Sequence, residues 1–121
     1  RNHFDNDGKD KFYNCTPNFV EKFYKNKQNL SIGVMVDEKR YDATDFPGVE
    51  RDYADFIRIA VHPDRIKNAF KIVEQLFDEG YNIFLQLMEI SDFDSDIFKL
   101  IYSFCFPFSC NSIYIFYCIP V

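Results

Sequence analysis

The side chains able to do acid–base or ligand chemistry are few and unevenly placed. The chain holds two histidines, His3 and His62. His62 closes the apolar run Phe56 to Val61 and precedes Pro63-Asp64. From there an imidazole could touch a substrate or a metal-bound water; the plainer role for the same residue is to stand at the entry of a proline-started helix. Arg58 interrupts that run with a guanidinium able to fork onto a substrate carboxylate, or onto interior acids or Gln86. Asp37 and Glu89 end two other apolar runs, as site carboxylates or as solvated loop acids. Arg58, His62, Asp37, Gln86 and Glu89 are therefore the substrate-side candidates. No residue is identifiable as catalytic, and none as a metal ligand.

Familiar site motifs do not hold. Asp92-x-Asp94-x-Asp96 begins like a calcium loop, but Ile97 stands where the glycine belongs and Ser103 where the glutamate belongs. His3 to Asn14, with Asp5, Asp7 and Gly8, fits the loop start and lacks the terminal glutamate and an incoming helix. No dinucleotide, phosphate-loop or nucleophile-elbow glycine pattern occurs. Gly8, Gly33, Gly48 and Gly80 are isolated, each with a turn, packing or cap reading. Cys15, Cys105, Cys110 and Cys118 have no zinc-ligand spacing.

The 121 residues amount to one domain, 47% hydrophobic and 27% charged, too short for a complete (β/α)8 barrel of about 250 residues. The formal charge is −5, which argues against a phosphate-backbone partner, so no nucleic acid is expected. The acids cluster. Residues 37–55 carry seven acids against Lys39, Arg40 and Arg51, a net −4, and residues 89–96 add four more with no base. Both clusters follow apolar runs, where solvated loops lie and where parallel α/β folds place their sites. The polar start from Arg1 to Lys11 is no signal peptide, so reduced thiols in a cytoplasmic protein are expected.

The elements that must position these groups are legible as periodicities. Thr16-Pro17 offers a cap and a first-turn proline, and Phe19, Val20, Phe23 and Tyr24 predict an amphipathic helix over 17–28. Leu30 to Val36 predicts a strand, and 37–54 a polar crossover with Pro47-Gly48 and at most one short helix. Phe56 to Val61 predicts the next strand. A helix starting at His62-Pro63-Asp64 shows Ile66, Ala69, Phe70, Val73, Leu76 and Phe77 on one face and stops at Gly80. Ile83 to Met88 predicts a third strand, and Ser91 or Ser95 caps a helix through Phe98, Leu100 and Ile101. Such alternation is that of a parallel α/β sheet. Each strand has one branched aliphatic face (Ile32, Val34, Val36; Ile57, Ile59, Val61; Ile83, Leu85, Leu87). The other face is mixed: Ser31, Gly33, Met35, Asp37; Arg58, Ala60, His62; Phe84, Gln86, Met88. Arg58 and Gln86 buried without partners would cost several kcal/mol, so the mixed face suits a barrel interior, with an open sheet carrying Arg58 at an edge as the alternative.

Residues 30–90 resemble the HMG-CoA-lyase-like aldolases, the pyruvate carboxyltransferase superfamily that includes 4-hydroxy-2-oxovalerate aldolases. The resemblance lies in Ser31-Ile-Gly-Val-Met-Val-Asp37, Asp55-Phe-Ile-Arg-Ile-Ala-Val-His62 and Tyr81-Asn-Ile-Phe-Leu-Gln-Leu-Met-Glu-Ile-Ser91, which look like strands three, four and five of that barrel. It implies a partial TIM (β/α)8 barrel of about strands three to six. It also implies a lyase or aldolase acting on a C–C bond next to a carbonyl, with a 2-oxo acid or aldehyde as partner and a divalent metal, Mn or Mg, as cofactor. The family holds that metal with an Arg-Asp-Gly turn and a His-x-His pair, and this sequence has neither, so no ligand carries over.

Residues 100–121 carry no charge and three of the four cysteines. As one helix they would reach about 33 Å, but Pro107, Ser109, Asn111 and Ser112 interrupt the run, so a membrane anchor is not expected. A turn at Pro107 and a strand from Ser112 to Tyr117, the place of a sixth strand, fit better. The chain thus divides into 1–99, a partial aldolase-type domain, and 100–121, an aromatic, Cys-rich tail that is either divergent or out of frame. A non-catalytic α/β half-barrel, acting as a binding or assembly module, is the alternative function. Open edges and apolar surface predict self-association in either case.

Overall fold

The computed structural model describes residues 15–48, 53–107 and 113–117, the last for backbone and pairing only. Helix α1 spans Pro17–Asn26, strand β1 Gly33–Asp37, strand β2 Phe56–Val61, helix α2 Ile66–Asp78, strand β3 Asn82–Leu87, helix α3 Ser95–Cys105 and strand β4 Ile113–Tyr117. The predicted elements are all present within a few residues at each end. The crossover after β1 holds two short 3-10 turns, Glu38–Arg40 and Ala43–Asp45, rather than one helix.

Two caps differ from expectation. Thr16 makes no side-chain cap bond at α1, where Pro17 alone sets the first turn. At α3 the cap is Asp94, not Ser91 or Ser95: its carboxylate accepts from the Asp96 and Ile97 N–H groups at 3.0 and 2.8 Å. A carboxylate there also meets the positive end of the helix dipole, which a serine hydroxyl does less well. The stop at Gly80 is as expected. Its φ of 90° suits a residue without Cβ. Gly80 N–H then reaches Phe77 O (2.8 Å) and Tyr81 N–H reaches Leu76 O (3.1 Å), a Schellman closure.

The four strands form one parallel sheet in sequential order β1-β2-β3-β4. The aliphatic face is the core. Val34, Val36, Ile57, Ile59, Val61, Ile83, Leu85 and Leu87 are all buried, joined by Ile66, Ala69, Val73 and Leu76 of α2 and Ile101 of α3. Each buried Val, Ile or Leu side chain contributes about 1.5–3 kcal/mol of transfer free energy. Phe104 of α3 stacks on Phe70 of α2 at 3.9 Å between ring centres.

The mixed face is bare. Gly33, Met35, Asp37 and Arg58 are exposed, and Phe56, Ala60, Phe84 and Gln86 are half-buried. Sequential strand order with right-handed crossovers puts every connection on one side of a sheet. A doubly wound sheet reverses its order and covers both faces; the four described strands show no reversal, an order consistent with part of a barrel. The expected alternative of an open sheet with Arg58 at an edge differs in one respect: β2, which carries Arg58, is paired on both sides and is an inner strand.

Candidate functional site at the carboxyl ends of the strands

Parallel strands deliver their following loops to one end, so residues just past β1, β2 and β3 become neighbours. Lys39 follows β1, His62, Pro63 and Asp64 follow β2, and Glu89 and Asp92 follow β3. Together they line a polar cleft of about 360 Å³, within the size range of small-molecule sites. His62 Nδ1 lies 3.4 Å from Glu89 Oε2, both side chains being partly exposed. That contact leaves the Nε2 edge of the ring for a ligand. The β2–β3 ladder runs one step beyond the strands through Met88 N–H to Val61 O at 2.9 Å, which sets His62 beside the Glu89 turn. Glu89 itself is left-handed, with φ and ψ both 53°.

A half-buried ion pair lies beside this cleft. Glu38, 7% exposed, receives two bonds from Arg65, Nη2 to Oε1 at 3.0 Å and Nε to Oε2. The bonds to Glu38 raise the Arg65 pKa above its ordinary value, with burial opposing. Since Glu38 precedes Lys39 and Arg65 follows Asp64, the pair fixes the first two loops of the cleft relative to each other. Asp37 is spent locally: its Oδ1 accepts from Lys39 N–H at 3.0 Å and caps the 3-10 turn.

The sequence candidates therefore separate. His62 and Glu89 come together in the cleft. Asp37, Ala60 and Gln86 form one row across the bare face, and Met35, Arg58 and Phe84 the row below. Gln86 Nε2 donates to Met88 Sδ at 3.3 Å. Lys39, Asp64 and Asp92 belong to the cleft and were not among the candidates. Their signal in the sequence is position alone, a few residues past each strand end. His3 lies outside the described residues, as does the Asp5–Gly8 motif.

Other chemistry is weaker. Burial raises the Cys105 thiol pKa, so its nucleophilic thiolate is scarce near neutrality. Cys105 is a free thiol; Cys110 and Cys118 lie outside the described residues. A larger cleft of about 680 Å³ separates α1 from β1, lined by Phe19, Val20, Phe23, Leu30, Ile32 and Val34 among others. It is apolar and lies off the strand ends, and its Lys27 is committed to Asp55. Among the described residues no three His, Cys, Asp or Glu side chains gather as a metal site would require. The described residues by themselves offer no ligand set for the divalent metal that the family resemblance implies. Among the described residues, too, no helix is long and apolar enough to cross a membrane.

Fold and cleft together define a parallel α/β segment, consistent with part of a barrel, with a polar cleft at the strand carboxyl ends. No family model matches the chain, and no curated protein matches it. Among solved structures it is similar to the "N-terminal domain of a putative aldolase from Bacteroides vulgatus", with a TM-score of 0.61 and 27% sequence identity. The match covers 75% of this chain and 31% of that one, so this chain spans about a third of its length. The fold is shared with an aldolase-type domain.

Proposed function

We propose that this chain is part of the catalytic domain of an aldolase or lyase acting on a C–C bond next to a carbonyl, of the HMG-CoA-lyase-like, 4-hydroxy-2-oxovalerate aldolase type. In that reading its four strands correspond to strands three to six of a (β/α)8 barrel, its substrate is a 2-oxo acid or aldehyde, and its setting is cytoplasmic. The observation that carries the reading is the His62–Glu89 pair in a polar cleft at the carboxyl ends of adjacent parallel strands, where barrel enzymes keep their chemistry. The likeness to the Bacteroides vulgatus domain supports it.

His62 is the proton-handling group. In the cleavage direction its Nε2 takes the hydroxyl proton of a 4-hydroxy-2-oxo acid as the C3–C4 bond breaks. The bonding pair moves into the enolate of the departing 2-oxo acid, and an aldehyde is released. Glu89 orients the imidazole through its contact with Nδ1. No step is assigned to a metal.

The test is aldehyde release from 4-hydroxy-2-oxopentanoate by the chain, with and without Mn²⁺. Release that falls about a hundredfold or more in His62→Asn supports the reading, that being the ordinary worth of general acid–base catalysis. Release indifferent to His62, or none under either condition, overturns it. The bare sheet face, with Met35 46% exposed, favours a second reading, an assembly module without catalysis. It gains if the chain associates but releases no aldehyde.

A further inference from the structure

Arg58 stands at the centre of β2 on the bare face, between Met35 of β1 and Phe84 of β3 in the paired register. Among the described residues its guanidinium has one polar contact, the Met35 thioether sulfur, 3.6 Å from Nη2. A thioether is a weak acceptor, and a guanidinium offers five donors in a planar fork. The acid on the same face, Asp37, lies one row higher and gives its carboxylate to the Lys39 N–H. Among the described residues, the other neighbours of Arg58 on this face are Phe56, Ala60 and Gln86, none of them anionic. Whatever covers the face takes a charged fork out of water among aromatic rings and a thioether, which is strongly unfavourable without a counter-charge.

We infer that Arg58 is a carboxylate seat: a small organic anion binds on the exposed face of the sheet with its carboxylate forked by Arg58 and its other end toward His62. Arg58, Ala60 and His62 are successive residues of one face of β2 and its extension, which puts Arg58 and His62 about 13 Å apart along the backbone. The long arginine side chain shortens that span. Lys39 at the rim adds positive charge on the approach, while Asp64, Glu89 and Asp92 disfavour an anionic group at the upper end. The charge gradient thus orients the ligand, carboxylate down and neutral carbonyl or hydroxyl end up. The seat deepens the function proposed above and rests on it for the choice of His62 as the working end.

The experiment is a titration of the full chain with sodium pyruvate and sodium acetate at constant ionic strength, followed by amide and arginine side-chain NMR shifts, with sodium chloride as control. Saturable carboxylate binding that weakens about tenfold or more in Arg58→Gln, and less in Arg58→Lys, is expected, because lysine keeps the charge and loses the fork. Arg58 is exposed, and melting of each variant by circular dichroism checks that the fold is kept. No saturable binding, or binding equal in Arg58→Gln, overturns the seat. Carboxylate binding lost in Arg58→Gln without any aldehyde release supports the seat and sinks the aldolase reading. Aldehyde release whose KM is unmoved by Arg58→Gln sinks the seat and leaves that reading standing.

Discussion

At the scale of single residues, Glu89 combines an unfavourable backbone with a functional position. A left-handed conformation at a residue bearing Cβ costs about 1–2 kcal/mol, and such strain persists where the surroundings over-determine it, often at working sites. Here the surroundings are the ladder bond from Met88 to Val61 on one side and the 3-10 turn Ile90–Asp92 on the other. Substituting Glu89→Gly should leave the melting temperature unchanged or raise it by a few degrees, while depriving His62 of its neighbour. Glu89→Gln, which keeps the Cβ and removes the charge, is the control. Thermal melts of the two variants decide the matter: Glu89→Gly melting no higher than Glu89→Gln would remove the strain argument. The carboxylate also shows what was legible. A glutamate past an apolar run marks a strand end, but its backbone conformation follows from the loop path and has no signature in residue type.

At the scale of elements, Asp55 is the knot that ties helix to sheet. Its Oδ1 accepts from the Tyr24 hydroxyl at 3.1 Å and from the Lys27 ammonium, and its Oδ2 from Ile32 N–H at 2.7 Å. Its own N–H returns to Ile32 O at 2.8 Å. The C-terminal end of α1, the lead into β1 and the start of β2 thus meet on one carboxylate. Burial opposes ionisation of Asp55, but the Lys27, Ile32 and Tyr24 contacts outweigh it and hold the carboxyl below its usual value. In the unfolded chain the group takes up a proton at the ordinary value near pH 4. The stabilisation is therefore complete above about pH 4 and is lost as pH falls through the lower folded value. Urea midpoints between pH 6 and pH 2 should fall on the acid side, and Asp55→Asn should flatten that limb while lowering the plateau. An unchanged acid limb in the variant would assign the pH dependence elsewhere. Element types were readable because apolar periods of 2 and 3.6 residues are local properties. The knot was not, since it joins residues 23 to 31 apart in the chain.

At the scale of the molecule, the distribution of apolar surface is one-sided. On β1, β2 and β3 one face is packed against helices and buried. The other shows Met35 and the half-buried Phe56–Phe84 ring pair at 4.6 Å, and β1 is an outer strand of the described sheet with one edge unpaired within it. A parallel sheet ordinarily has both faces covered, and an open edge with adjoining apolar surface is a template for association. Concentration-dependent self-association is therefore expected in light scattering, reduced by Met35→Lys, which puts a charge on the exposed face of the outer strand β1. A monomer at every concentration would count against it. The same one-sidedness shows why the mixed strand faces could be read only in part. Their polar residues excluded a uniformly apolar environment, but whether Arg58 finds an acid partner depends on what neighbouring strands bring into register.

The sequence by itself determined the parallel α/β class, the strand face that forms the core, the helix stop at Gly80 and the placing of His62 and Glu89 at strand ends. Each is a matter of local period, capping or side-chain size. Only the tertiary structure decided that His62 and Glu89 share a cleft with Lys39, Asp64 and Asp92, that Glu38 is buried on Arg65, and that Arg58 meets a thioether instead of a carboxylate. The physical reason is that these contacts span crossovers of some 20 to 30 residues. They are fixed by strand register and winding, which the packing of the whole aliphatic face selects and no single segment encodes.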